Sequence, residues 1–151
     1  MTQIPKCTLV PTRYFDEKEP RCSLSELFPL SDSETVSYVE VPEFDAVLVY
    51  AGAERPVLYD MLRSLARCCE YNRILVSYTD GIVSIVIAQA ERLLLANSYP
   101  AADFTTAEYF IFFAMKSLQL NPEISTVTMM TPISAEEEMS LYRYFKSIEQ
   151  V

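Results

Sequence analysis

The chain has 151 residues and half of them are hydrophobic, which is enough apolar material for a folded core and excludes disorder by composition. Its formal net charge is -9, from 21 acidic and 12 basic residues, whereas nucleic acids and anionic membranes attract basic surfaces. No apolar run approaches the roughly 20 residues that span a bilayer. The sequence therefore predicts no nucleic-acid partner and no membrane span.

The first residues and the cysteines bear on the compartment. "MTQIPKCTLVP" lacks the charged start and apolar centre of a signal peptide, so we expect a cytoplasmic protein. Cys7, Cys22, Cys68 and Cys69 form no C-x-x-C pair, and the chain has no histidine to complete a mixed metal site. We expect reduced thiols that pack as small apolar side chains, and no bound metal.

The N-terminal part predicts mostly β-structure. "CTLVP" is a short strand that its proline ends, and "SLSELFPL" makes at most two helical turns, with Ser23 and Glu26 spaced as a capping box. Two β-rich runs follow, at 35–41 and 44–52, joined by "PE". Strands in so small a sheet would expose an edge or an apolar face unless something covered them.

The next segment, "RPVLYDMLRSLARCCE", has the apolar spacing of an amphipathic helix, with Pro56 near its start. Its apolar positions recur at i, i+3, i+4, i+7 and i+11: Leu58, Met61, Leu62, Leu65 and Cys69.

Three strands then follow on tight connections, at about 73–79, 82–89 and 92–99. The middle run, "GIVSIVIAQ", is almost continuously apolar, which is typical of a strand covered on both faces. "TTAEYFIFFAMKSLQL" predicts a helix in which Thr105 and Glu108 have capping-box spacing. This helix is apolar nearly all round, so we expect it to be buried between the sheet and a second surface.

The chain is predicted to end with a strand, "STVTMMT", and a last helix, "PISAEEEMSLYRYFKSIEQV". Ser134 and Glu137 form the capping box of that helix, and Met139, Tyr142 and Phe145 form its core-facing stripe. Residues 73–151 thus have the predicted order β-β-β-α-β-α.

That order resembles the ribonuclease H-like domain that actin-like ATPases repeat twice. Three segments resemble, in the same order, parts of a bacterial family of unknown function, domain of unknown function family 3822: "CTLVPTRYFDE", "RLLLANSYPAADFTTAEYFIFFAMKSLQLNPE" and "VTMMTPISAEEEMSLYRYFKSI". The resemblance implies an α/β protein with the actin-like ATPase fold and no established activity. An unrelated α/β domain with the same order by chance is the remaining alternative for the fold.

The resemblance also implies a domain division, because members of that family are typically longer. Residues 1–72 would be the remnant of the first actin-like half, with a β-hairpin and a connecting helix. Residues 73–151 would be a complete second ribonuclease H-like half, with a mixed sheet. The sequence leaves open whether Met1 is the natural start.

Actin-like ATPases hold phosphate with glycine-rich turns, because backbone N–H groups must approach the phosphate oxygens closely. When the superfamily motif Asp-x-Gly-Gly-x-Thr is set on "ILVSYTDGIVS", Ser77 stands where the acid should be and Thr79 stands at the first glycine. Asp80 and Gly81 arrive later, where they suit a type I′ hairpin turn. The alternative is that Asp80 ligates a metal.

The other expected glycine pairs are also missing. The adenosine motif is replaced by Thr131 and Pro132, and proline has no N–H. After the third strand, "PAA" (100–102) stands in place of Gly-Gly. The basic candidates near these loops are Arg73 and Arg92. We therefore expect no cofactor, and we expect no ATP hydrolysis.

Other enzyme classes have equally little support in the sequence. A Ser-His or Cys-His nucleophile needs a histidine, and a two-metal nuclease needs an acid on the strand that carries Ser77. Glu136, Glu137 and Glu138 stand at a helix start, where acids complement the dipole. The protein is therefore expected not to be an enzyme, although no sequence feature excludes every activity.

The ten tyrosines and eight phenylalanines exceed what a small core needs, and tyrosine supplies contact area at low entropic cost. We therefore predict a non-catalytic interaction or scaffold protein that pairs with itself or with a protein partner. The alternative is a nucleotide-binding protein with an atypical site at Asp80, Gly81 and Thr131.

Overall fold

The computed structural model describes residues 4–68 and 70–150. Its strands are β1 (Cys7–Pro11), β2 (Val36–Val41), β3 (Ala46–Ala51), β4 (Asn72–Thr79), β5 (Ile82–Gln89), β6 (Arg92–Pro100), β7 (Thr126–Met129) and β8 (Ser147–Gln150). Its α-helices are α1 (Pro20–Ser25), α2 (Val57–Arg67), α3 (Phe104–Ser117) and α4 (Ala135–Tyr142). Within the described ranges, no helix has the combination of length and apolarity that crossing a bilayer demands.

The strands form two sheets. The smaller sheet is antiparallel with the order β1-β3-β2, and the larger sheet has the order β6-β5-β4-β7-β8. β4, β5 and β6 form an antiparallel meander, whereas β7 is parallel to β4 and β8 is parallel to β7. The predicted mixed α/β sheet, and the three strands of its meander, are confirmed.

Helix α2 packs between the two sheets, as its amphipathic pattern predicts. Its four described apolar positions are all buried, and they share one cluster with Leu48 of β3 and Leu75 of β4. Pro56 is the N-cap residue of α2. The fifth predicted position, Cys69, lies outside the described residues. Because both sheets contribute to this cluster, α2 joins the two parts of the molecule into one core.

The apolar faces of the small sheet are covered by the chain itself. Leu24 of α1 is buried against Val47 and Val49 on one face, while Leu48 meets α2 on the other. Of the two expected alternatives, an apolar face is therefore covered within the described chain, and β1 and β2 are the edge strands of this sheet.

The predicted helix starts have mixed outcomes. The Ser134–Glu137 capping box is confirmed, since each residue accepts a hydrogen bond from the other's backbone N–H. The box at Thr105 is wrong, because Asp103 caps α3 two residues earlier. The box at Ser23 is also wrong, because α1 begins at its proline, Pro20, without a side-chain cap. Each error is a shift of register along a helix, which short capping patterns do not resolve.

The end of the chain differs most from the prediction. Helix α4 ends at Tyr142, and the residues predicted to continue it form β8 instead. Lys146 N–H donates to the carbonyl oxygens of Pro122 and Ser125, which places the following residues beside β7. The core side chains here are Leu141 and Phe145.

The predicted core stripe of that helix is therefore partly wrong. Phe145 is buried, but Met139 is 67% exposed and Tyr142 is 47% exposed. The predicted stripe assumed a long straight helix. Helix α4 is shorter, and its buried residue is Leu141. Phe145 lies just after the helix, where its N–H donates to Leu141 C=O at 2.9 Å.

Helix α3 has the predicted contact with the large sheet on one side only. The side chains that face the sheet are buried: Ala107, Ile111, Ala114 and Met115. On its other side, Tyr109 is 61% exposed and Phe113 is 57% exposed. The expected second covering surface is therefore missing among the described residues.

Candidate functional site

The residues proposed for an atypical nucleotide site lie at the carboxyl ends of β4 and β7. Tyr78 N–H donates to the Thr131 hydroxyl oxygen at 2.9 Å, and Met130 N–H donates to Val76 C=O at 2.8 Å. These bonds place Thr131 beside the strand that leads directly into Asp80 and Gly81. Ligands of open α/β sheets usually bind at this end of the strands, so the location is the expected one.

Asp80 and Gly81 form the predicted tight turn. Both residues have positive φ angles, 53° and 73°, as a type I′ hairpin turn requires. Gly81 C=O accepts a hydrogen bond from Ala101 N–H at 2.8 Å, which ties the turn to the segment after β6. The glycine is therefore accounted for by the turn alone, without a phosphate.

The N-termini of α3 and α4 are both capped by side chains of the chain. Asp103 Oδ1 accepts from Thr106 N–H at 2.8 Å, and Ser134 Oγ accepts from Glu137 N–H at 3.2 Å. The Thr106 N–H also holds the pKa of Asp103 below its usual range. Phosphates bind free N–H groups at a helix start, and here one such N–H in each helix already donates to a side-chain oxygen of the chain.

Tyr78 reports on the electrostatics of this end of the sheet. Its hydroxyl donates to Ala101 C=O at 2.8 Å, and its ring packs against Phe104 at 6.2 Å between centroids. Burial raises the pKa of Tyr78, and the carboxylates of Asp103 and Glu137 raise it further. These carboxylates give this end of the sheet a negative potential, which disfavours an anionic ligand there.

The motif position that should carry an acid lies inside the sheet. Ser77 is buried, and its neighbours in register across the sheet, Ser84 and Ser98, share a hydrogen bond of 2.8 Å. Because this row of serines is enclosed, a carboxylate at position 77 would be buried without a cation. Among the described residues, no three acidic or cysteine side chains are grouped so as to hold a metal.

The two basic candidates lie at the opposite end of the sheet, which corrects the expectation that they are near the loops. Arg73 stands at the start of β4 and Arg92 at the start of β6. The six residue steps from Arg73 to Thr79, the last residue of β4, span roughly 20 Å of extended strand. The Arg73 guanidinium donates instead to the carbonyl oxygens of Leu65, Cys68 and Ala90.

A second candidate site lies on the outside of α3. The site is a cleft that has a volume of about 380 Å³ and is lined by Tyr109, Phe112, Phe113 and Lys116. We call the surface that these four residues form the α3 outer face. The rings of Tyr109 and Phe113 stack with their centroids 6.0 Å apart, and the centroids of the Phe112 and Tyr144 rings are 4.6 Å apart. The sequence signal for this surface was the helix that is apolar nearly all round, although the sequence does not show which side stays open.

Two comparisons with known proteins bear on identity. Residues 53–148 match the family described as "Protein of unknown function (DUF3822)". The structure resembles a Bacteroides thetaiotaomicron protein described as having an actin-like ATPase fold and unknown function, with a TM-score of 0.79 and 16% identity. That match covers 97% of this chain and 65% of the other, so this chain spans about two thirds of its neighbour's length.

No curated protein sequence matches the chain. At this low identity the structural neighbour shows the fold, which is the actin-like ATPase fold that the resemblance implied. Since the family match covers well over half of the chain, the protein belongs to the DUF3822 family of proteins of unknown function.

Proposed function

We propose that this chain is a non-catalytic interaction protein that uses a degenerate actin-like fold as a scaffold. The observation that carries the proposal is the exposure of Tyr109 and Phe113 at the centre of the α3 outer face. Neighbouring large aromatic side chains are enriched at protein interfaces, and exposed apolar patches on soluble domains often mark contact sites.

The partner that suits the α3 outer face is a basic, amphipathic helix of another protein. Apolar side chains of such a helix fit a cleft between aromatic rings, as in other helix-in-groove contacts. The chain carries a net charge of -9, which attracts a basic partner and steers its approach. Lys116 at the rim is compatible with an acidic residue within that partner.

A synthetic helical peptide of about 20 residues, with leucine on one face and lysine on the other, tests this proposal. We expect binding by fluorescence anisotropy, and at least about tenfold weaker binding to the double variant Tyr109→Ser, Phe113→Ser. The matched control, Tyr14→Ser with Tyr71→Ser, removes two exposed tyrosines elsewhere and should bind like the parent.

Two results would contradict the proposal for this surface. One is a peptide affinity that is the same for the α3 double variant and for the parent. The other is equal binding of a peptide in which glutamate replaces every lysine, because the charge argument requires a basic partner.

The second candidate function is nucleotide binding at Asp80, Gly81 and Thr131. It is favoured by one observation, the hydrogen bond from Tyr78 to Thr131 that brings these loops together at the ligand-binding end of the sheet. A thermal-shift titration with Mg-ATP separates the two candidates. A melting temperature that rises with nucleotide concentration favours nucleotide binding, since a ligand of the native state stabilises it by mass action.

The proposal includes a setting and a domain division. The described free cysteines, Cys7, Cys22 and Cys68, suit a reducing compartment such as the cytoplasm. Residues 1–72 would be the remnant of a first actin-like half, and residues 73–151 a second half. The separation of the described strands into two sheets on either side of α2 supports this division.

A further inference from the structure

Strand β1 has one side of its backbone unpaired in the described chain. Lys6 C=O accepts from Ala51 N–H, and Thr12 N–H donates to Asp45 C=O. The even-numbered residues of the strand therefore face β3. Backbone direction alternates along a strand, so the N–H and C=O groups of Cys7 and Leu9, and the C=O of Pro11, face away from the sheet.

β1 also lacks the charged side chain that the other edge strands carry, although Pro11 stands at its end. Edge strands commonly carry a charged side chain, which blocks pairing with another chain. β2 has Glu40, β6 has Arg92 and β8 has Glu149. On β6, moreover, the Asn97 side chain accepts from Ser98 N–H. "CTLVP" has no charged residue.

The hydrophobic clusters on both faces of the small sheet extend to this edge. Cys7 and Leu9 pack with the cluster under α2, whereas Val10 packs with the cluster under α1. A strand added beside β1 would therefore place alternate side chains against two existing apolar clusters. Strand addition of this kind takes its affinity from main-chain hydrogen bonds and its specificity from alternate side chains.

We propose that β1 pairs with β1 of a second copy of this chain, antiparallel and about a two-fold axis at Leu9. In that register, Leu9 exchanges both backbone hydrogen bonds with Leu9 of the second copy. Cys7 N–H donates to the C=O of Pro11 in the second copy. By symmetry, Cys7 N–H of the second copy donates to the C=O of Pro11 in the first. The absent N–H of Pro11 then lies at the end of the pairing, so the two small sheets become one continuous sheet with a self-complementary interface.

Charge makes this pairing sensitive to salt. Two copies with a net charge of -9 each repel one another, but β1 itself is neutral and the adjacent Lys6 is paired with Glu34 at 2.9 Å. The repulsion thus comes from groups outside the contact, and screening by salt weakens it. Association should therefore strengthen as salt concentration rises.

The test combines analytical ultracentrifugation with amide hydrogen exchange across a concentration series. We expect a monomer–dimer equilibrium in which exchange at Leu9 slows as the dimer forms. Thr8→Lys puts a charge on β1 and should raise the dissociation constant at least about tenfold. Ser37→Lys makes a similar change on β2, the other edge of the same sheet, and should leave the dissociation constant unchanged.

Each other outcome overturns the proposal. A dimer in which Leu9 exchanges rapidly uses a different surface, and a monomer at all concentrations and salt levels has no such pairing. Slow exchange at Leu9 in the monomer means that another part of the same chain covers the edge. The Leu9 exchange measurement needs no variant, so it decides the matter even if Thr8→Lys does not fold. The peptide test of the α3 outer face is independent of all these results.

Discussion

The hydroxyl oxygen of Thr131 accepts a hydrogen bond from the backbone N–H of Tyr78 at 2.9 Å. The last paired residues of β4 and β7 are Val76 and Met129, so this bond continues the contact between the two strands after their regular pairing has ended. It also uses a polar atom that an atypical nucleotide site would need. Thr131 therefore has a structural role at the end of this strand pairing.

The first prediction concerns that bond. Thr131→Val keeps the shape of the side chain but leaves Tyr78 N–H without its acceptor, which should lower the free energy of unfolding by about 1–2 kcal/mol. Thr131→Ser keeps the hydroxyl, so its free energy of unfolding should fall less than that of Thr131→Val. Urea denaturation measures both variants, and an equal loss for valine and serine would show that the hydroxyl is unimportant.

The second prediction concerns the end of α3. Gln119 has a φ angle of 58°, in the left-handed region, and the next N–H, of Leu120, bonds back to Met115 C=O at 2.9 Å. Glycine adopts this conformation without strain, so Gln119→Gly should stabilise the protein by about 0.5–1 kcal/mol. Ser117→Gly, at the last residue of α3, should instead destabilise the protein by about 0.5 kcal/mol. The prediction is wrong if both glycine substitutions shift the urea denaturation midpoint in the same direction.

The third prediction is a pH dependence at Asp103. Its pKa is lowered in the folded state, first of all by the hydrogen bond from Thr106 N–H. The stabilisation is thus fully present above the unfolded pKa of about 3.9 and is lost as pH falls through the lower folded value. Asp103→Asn still caps the helix but does not titrate.

The parent should therefore lose more thermal stability than Asp103→Asn when the pH falls from 7 into the acid range. Melting temperatures measured along that range check this expectation. Asp32→Asn, at an exposed aspartate in a loop, serves as the control and should follow the parent. If the melting temperatures of the parent and of Asp103→Asn fell in parallel with pH, Asp103 would not contribute to the acid sensitivity.

The fourth prediction concerns Arg73, which is buried and binds the carbonyl oxygens of Leu65, Cys68 and Ala90. These bonds give a hydrogen-bond donor to carbonyl groups at the end of α2 and in the turn between β5 and β6. Arg73→Leu should lower the free energy of unfolding by about 3 kcal/mol in urea denaturation, because one buried and two partly buried carbonyl groups lose a charged donor. Arg92→Leu removes an exposed arginine from the same end of the sheet and should change stability by less than about 0.5 kcal/mol.

The fifth prediction concerns thiol reactivity. Burial raises the pKa of Cys7 to about 11, so its reactive thiolate is scarce at pH 8. Cys22 is exposed, although the hydrogen bond to Glu19 raises its pKa. Mass spectrometry after brief alkylation should find Cys22 modified before Cys7, and Glu19→Gln should speed the reaction at Cys22. A faster reaction at Cys7 would mean that β1 opens readily.

Local sequence patterns were enough to predict elements whose signal lies within a few neighbouring residues. The spacing from Leu58 to Leu65 predicted α2, and the Asp80-Gly81 pair predicted the turn whose two positive φ angles the structure shows. Both signals act through neighbours in the chain, so no distant contact is needed to interpret them. The caps of α1 and α3 were misplaced because several polar residues near each start could serve, and the surroundings select one.

By itself, the amino-acid sequence determined the α/β class and the meander, and it shows that the chain has no two adjacent glycines. Only the tertiary structure decided which apolar surfaces stay open. It turned the predicted end of the last helix into β8, covered the small sheet with α1 and α2, and left Tyr109 and Phe113 exposed on α3. The physical reason is that periodicity shows which side chains favour burial, whereas the partner that buries them is set by contacts between residues far apart in the chain.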